Sequence, residues 1–145
     1  MVDNVNLIGI ELALVLNSFS VQGEFVNSKV DAESGSVSFP TFYGQVSYFL
    51  TGESRVYKGG YDGFDRVKPT NNLGDGGFGA WEISARYSRV DFTDQLLLGG
   101  EMSGITVGLN WYLNPVSRIL LNYAIEDLQD FGTTNIFQTR FQIDF

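Results

Sequence analysis

Gly104-Ile105-Thr106-Val107-Gly108-Leu109-Asn110-Trp111-Tyr112-Leu113-Asn114 alternates in strict steps of two: Ile105, Val107, Leu109, Trp111 and Leu113 stand against Thr106, Gly108, Asn110, Tyr112 and Asn114. A tight turn at Asn114-Pro115 follows, and the alternation resumes with Ile119, Leu121, Tyr123 and Ile125 against Arg118, Leu120, Asn122, Ala124 and Glu126. The final run sets Phe137, Thr139, Phe141, Ile143 and Phe145 against Gln138, Arg140, Gln142 and Asp144. A period of two sends each set to its own face of a sheet. A sheet that is apolar on one side, polar and charged on the other, and carried through to Phe145 predicts the closing strands of an all-β, antiparallel transmembrane β-barrel.

Working back toward the N-terminus, four earlier strands share the pattern. Trp81, Ile83, Ala85 and Tyr87 oppose Glu82, Ser84, Arg86 and Ser88; Val46, Tyr48 and Leu50 oppose Gln45, Ser47 and Phe49. Phe19, Val21, Gly23 and Phe25 oppose Ser20, Gln22 and Glu24, and a first run over 6–16 alternates less regularly. This makes about seven strands. The polar, turn-rich stretches at 27–40, 91–103 and 127–135 are expected to be loops, and 51–79 a long glycine-rich excursion. Bacterial barrels keep short turns at the periplasmic end and long loops outside. Counting back from Phe145, the tight turns Asn17-Ser18 and Asn114-Pro115 fall at the periplasmic end, as does the excursion. A long connection on the short-turn side is a candidate functional element.

The length fits one domain over 1–145. No run approaches the ~18 apolar residues of a membrane helix, the longest being Leu12 to Leu16. A net charge of −8 argues against nucleic acid as a partner. Cysteine and histidine are absent, which removes thiolate metal sites, disulfides and the commonest general base together. Neither an enzyme nor a cofactor or metal requirement is expected. Met1-Val2-Asp3-Asn4 does not read as a secretory signal, so the expectation is a signal that was removed or a chain that forms the back part of a longer protein.

Thr51-Gly52-Glu53-Ser54-Arg55, Phe64-Asp65-Arg66-Val67-Lys68-Pro69, Gly79-Ala80-Trp81-Glu82, Ala85-Arg86-Tyr87-Ser88 and Gly108-Leu109-Asn110-Trp111-Tyr112-Leu113-Asn114-Pro115 together resemble the C-terminal half of the phosphate-selective porin O and P family. The resemblance covers essentially the whole chain, in order. It implies the last seven strands of a sixteen-stranded barrel, trimeric, in the outer membrane of a Gram-negative bacterium, embedded in outer-membrane lipid and passing small anions such as phosphate by diffusion. It also implies that the barrel-assembly machinery reads Phe145 as a terminal signal. Finally, it implies an excursion folded into the channel that presents two lysines ten residues apart. Lys58 and Lys68 stand at that spacing, with Arg55 and Arg66 nearby; Glu53, Asp62, Asp65 and Asp75 share the segment and are candidates to neutralise them.

Other groups have bland readings beside the functional ones. Glu11, Glu24, Glu82, Arg86, Arg118, Glu126, Arg140 and Asp144 on the polar faces either line a wet lumen or satisfy one another across strands. Asp31, Glu33, Asp91, Asp94, Glu101, Asp127 and Asp130 read as solvated loop charge, with a divalent cation or lipopolysaccharide as the sharper reading. Gly74-Asp75-Gly76-Gly77-Phe78-Gly79 has the letters of a dinucleotide fingerprint, but a strand follows where that motif needs a helix. Trp81, Trp111, Tyr87, Tyr112, Tyr123, Phe137 and Phe145 have ligand stacking as the sharper reading, but most fall on the apolar face and suit an interfacial girdle, with Tyr112 pointing the other way. Two rival architectures stand beside the porin: a packed eight-stranded barrel with a structural or adhesive role, its eighth strand hidden in 51–79, and a soluble barrel with the apolar face turned inward around a small ligand.

Overall fold

The computed structural model describes residues 2–33, 35–58, 63–94 and 97–145. Met1 and Asp62 lie outside the described residues, as does residue 34 within the expected 27–40 loop. Among the described residues seven strands form one antiparallel sheet in sequence order: β1 (Val2–Leu16), β2 (Phe19–Ala32), β3 (Gly35–Phe49), β4 (Ala80–Asp94), β5 (Leu97–Asn114), β6 (Ser117–Leu128) and β7 (Gly132–Ile143). Among the described residues β1 and β7 do not pair with each other, so the sheet is open.

The register aligns the two faces across the whole sheet. Leu14 pairs with Val21, Val21 with Val46, Val46 with Ala85, Ala85 with Val107 and Val107 with Tyr123, a continuous row on the apolar face. A one-residue slip at any strand would turn its apolar set over, and none occurs within this band. The apolar face is uncovered: Leu12 is 71% exposed and Phe137 70%. Trp81 and Trp111, paired across strands, stack at 4.8 Å at one end of it.

Three of the expected loops are strand. β2 and β3 run through 27–40 to the pair Ala32–Gly35, β4 and β5 through 91–103 to Asp94–Leu97, and β6 and β7 through 127–135 to Leu128–Gly132. Asp31, Asp91, Asp94, Glu101 and Asp127 therefore sit on strands, not in loops. The polar composition there reports exposure to water, whereas the backbone ladder needs no apolar side chain. Cross-strand polar contacts reinforce it: the Ser38 hydroxyl donates to Asn27 at 2.8 Å, the Thr133 hydroxyl to Asp127 at 2.8 Å, the Ser36 hydroxyl to Asp31, and Arg89 pairs with Glu101. The length contrast between the two ends of the sheet thus reduces to one connection, the excursion. Two smaller shifts belong with this: β1 starts at Val2 instead of residue 6, and β7 stops at Ile143, leaving Phe145 fully exposed beyond the last ladder contact, Asp144 N–H to Val116 C=O at 2.8 Å.

The excursion supplies no eighth strand among the described residues; it holds only isolated bridges, Tyr57 with Phe64 and Leu73 with Gly77. It folds back over the polar face. The buried side chains Ser20, Ser47, Phe49, Ala80, Glu82, Asn110 and Tyr112 all project from that face, and Val67 of the excursion packs among them. The polar face is therefore the one the protein covers, opposite to what a soluble barrel with an apolar interior requires.

The glycine run has a backbone explanation. A Cβ on Gly79 would lie 2.2 Å from the Tyr112 carbonyl oxygen, and Gly79 has φ +72°. Only glycine lets the chain cross β5 this closely on its way into β4.

Candidate functional site

The site grows from Glu82 on β4. Its side chain is fully buried. A carboxylate in such a place needs hydrogen-bond donors on every side, and the neighbouring elements supply them. Arg55 of the excursion donates through Nε at 2.9 Å and Nη2 at 2.7 and 2.8 Å; on β5, Asn110 Nδ2 donates at 3.0 Å and the Tyr112 hydroxyl at 2.8 Å. Ser47 on β3 adds a hydrogen bond and is itself joined to Ser20 at 2.7 Å. The Arg55 guanidinium lies over two rings, 6.0 Å from the centre of Phe49 on the wall and 5.4 Å from that of Phe64 on the excursion.

A second anchor stands nearby. Glu53 is buried; its carboxylate accepts from the Thr51 hydroxyl and from the Thr70 amide at 3.0 Å, while Thr51 Oγ1 accepts from the Trp81 amide at 3.0 Å. The two ends of the excursion are thus pinned to each other and to the start of β4. Burial alone would push the Glu53 carboxyl up, but the hydrogen bonds from Thr51 and Thr70 together outweigh it and hold Glu53 below the ordinary value of 4.5. A depressed folded-state value means stability that is full above the unfolded value and lost as pH falls through the folded one. Protection of the Thr70 amide, its exchange measured against the free-peptide rate at each pH, is therefore expected to be high at neutral pH and to fall on acidification below about pH 4.5. Glu53→Gln should flatten that dependence; an unchanged pH profile in the variant would assign it to another group.

The lysines lie outward of these anchors. Lys58 and Lys68 are exposed, and Lys58 pairs with Asp65 at 3.0 Å. The hydrogen bond from Lys58 is the main reason Asp65 is held below its usual value, and Lys68 contributes to the same field. The two lysines thus share one carboxylate as neighbour. Glu53 and Asp75 are engaged elsewhere, Glu53 as above and Asp75 with the Asn72 amide at 3.2 Å. Arg66 is exposed, and Arg55 is removed from the solvent-facing set by its pair with Glu82. Glu82 for the same reason is not a residue of an open polar surface.

Of the other polar-face residues, Arg86 is exposed and lies 3.9 Å over the Tyr43 ring, whose hydroxyl accepts from Gln22 at 3.0 Å; Gln22 also donates to Glu11 at 3.1 Å. Arg118 faces Asp144 at 3.9 Å and the Tyr112 ring at 5.9 Å. Arg140 is exposed on β7 opposite Leu120. The sequence reading missed Thr51, Thr70, Ser47 and Asn110 as site residues. Only the inward placing of Tyr112 hinted at a buried network on that face.

The profile of the family described as phosphate-selective porin O and P matches residues 1–145. An uncharacterized protein of Caulobacter vibrioides is 32% identical over 151 positions, which cover 94% of this chain and 29% of that protein. Porin O of Pseudomonas aeruginosa is 32% identical over 128 positions, covering 80% of this chain and 28% of that protein. The chain therefore spans under a third of the length of these relatives.

Proposed function

Since the chain belongs to the phosphate-selective porin O and P family, a family of channels and not of enzymes, we propose that it is the C-terminal part of an outer-membrane porin that passes small anions such as phosphate. In this reading residues 1–145 are part of a single transmembrane barrel domain of sixteen strands, assembled as a homotrimer in the outer membrane of a Gram-negative bacterium. The observation that carries it is the direction of the excursion: it covers the polar face and leaves the apolar face bare, the arrangement of a barrel with lipid outside and a constricted aqueous lumen within. The strands, 12–18 residues long, exceed the ~9–11 needed to cross. The surplus with polar residues on both faces would stand outside the bilayer.

Within this reading Lys58, Lys68 and Arg66 present positive charge to the passing anion, while Arg86, Arg118 and Arg140 line the wall beyond them. Lysine suits a site that must release its ligand, being a mobile point charge rather than a fork. Phe145, free of the ladder, is left available to the barrel-assembly machinery.

The test uses the complete protein that contains this chain. It is expected in the detergent-extracted outer-membrane fraction, and in planar bilayers it should give an anion-selective current reduced by added phosphate. Recovery as a soluble protein without detergent would overturn the membrane reading, and a cation-selective current would overturn the anion reading.

A further inference from the structure

We infer that Arg55 and Glu82 are positioning residues of the channel, a latch that fixes where the excursion, and so Lys58 and Lys68, stand over the wall. The inference rests on the proposed porin function. Three observations carry it.

First, the pair joins two bodies. Glu82 belongs to β4, and its neighbours Ser47, Asn110 and Tyr112 belong to the adjoining strands; among the described residues, Arg55 is the side chain bonded to it that comes from the excursion. Second, the geometry is specific. Three Arg55 hydrogen bonds of 2.7–2.9 Å, two of them from Nη2, combine with contacts to one ring from the wall and one from the excursion. This fixes the guanidinium in direction as well as position. An ionised carboxylate can accept from Arg55, Asn110 and Tyr112 together, whereas an amide in its place would turn an N–H toward one of those donors. Third, the latch is close to the charges it would place. Lys58 follows Arg55 by three residues, within about 10 Å of extended chain, and the hairpin-like contacts Lys58 N–H to Gly63 C=O and Asp65 N–H to Val56 C=O, both 2.8 Å, tie the Lys58–Asp65 pair to the same segment. Lys68 precedes Thr70, which Glu53 holds. A buried ion pair adds little stability over apolar packing but strongly restricts geometry, which fits positioning better than reinforcement.

The experiment is done on the complete porin in planar bilayers, with Arg55→Lys and Glu82→Gln. Arg55→Lys keeps the charge and loses the fork, and it keeps the test informative if Glu82→Gln fails to fold. Heat-modifiable migration on gels selects folded channels. In these, the open-channel current is expected to become noisier and phosphate block of chloride current to weaken by about tenfold, the lower end of what loss of an orienting partner costs at an ion site. A lowered unfolding temperature with unchanged block and noise in folded Arg55→Lys channels would reduce the pair to a structural role and overturn the inference. If the wild-type channel shows no phosphate-sensitive current, the porin reading itself fails, and that outcome is read before either variant.

Discussion

Residues 1–145 on their own, refolded into vesicles or micelles, are expected not to give a heat-modifiable, protease-resistant monomer. Among the described residues β1 and β7 each pair on one side only, and the sheet between them is open. Along ~10 membrane-crossing residues per edge, about half the backbone N–H and C=O groups point away from the neighbouring strand. In hydrocarbon each unsatisfied group costs several kcal/mol, so two edges sum to tens of kcal/mol. The buried cluster that could offset this is small: Phe49, Val67, Ala80 and Tyr112 with the Glu82 network. At about 1.5–3 kcal/mol for each large apolar side chain, it falls far short. The edges must be closed by further strands or by another chain. Supplying the rest of the barrel in trans should restore protease resistance. A resistant monomer from these residues alone would show that the sheet closes on itself and would rule out the open seven-stranded arrangement.

The fold was legible in the sequence to the extent that side chains report their face. Ile105 to Leu113 and Ile119 to Ile125 alternate because one side meets the apolar environment and the other does not, and the pairing of Leu109 with Leu121 and Ile83 with Leu109 follows from it. Tyr112 was legible too, a large aromatic on the polar parity, and it is buried against Glu82. The extensions at 27–40 and 91–103 were not legible. Asn, Asp, Ser and Gly mark water on both faces, and both a loop and a protruding ladder satisfy that. The latch was hidden for another reason. Arg55 and Glu82 are 27 residues apart with no periodic pattern joining them; Arg55 read as a charge beside the anion-facing lysines, and Glu82 as a lumen-lining or cross-strand acid. Only the fold brings a carboxylate on a strand under a guanidinium in a connection. Thr51 and Thr70 likewise carry no signal in composition, because their role lies in backbone and hydroxyl geometry around Glu53.

Replacing both Lys58 and Lys68 by glutamate in the complete protein is expected to abolish phosphate block of chloride current and to move the reversal potential toward cation preference. The excursion holds four of the nine basic residues of an otherwise acidic chain. Arg55 is already neutralised by Glu82, which leaves Lys58, Arg66 and Lys68 facing solvent over the covered polar face. Asp65 offsets part of that charge, yet its pair with Lys58 is exposed, with the lysine side chain 49% accessible, and such pairs contribute only about 0–1 kcal/mol. A dianionic phosphate entering a narrow, poorly solvated passage competes well against a single carboxylate held that weakly. Reversing two charges changes the local balance by four units, because each lysine is both removed and replaced by an acid. The substitutions lie outside the Glu82 and Glu53 anchors, so folding should be retained; unchanged heat-modifiable migration checks this. The single variants should each weaken block, with the larger effect at Lys68, because Lys58 already shares its charge with Asp65. Unchanged block and unchanged anion preference in the double variant would remove both lysines from the mechanism and shift attention to Arg86, Arg118 and Arg140 along the wall.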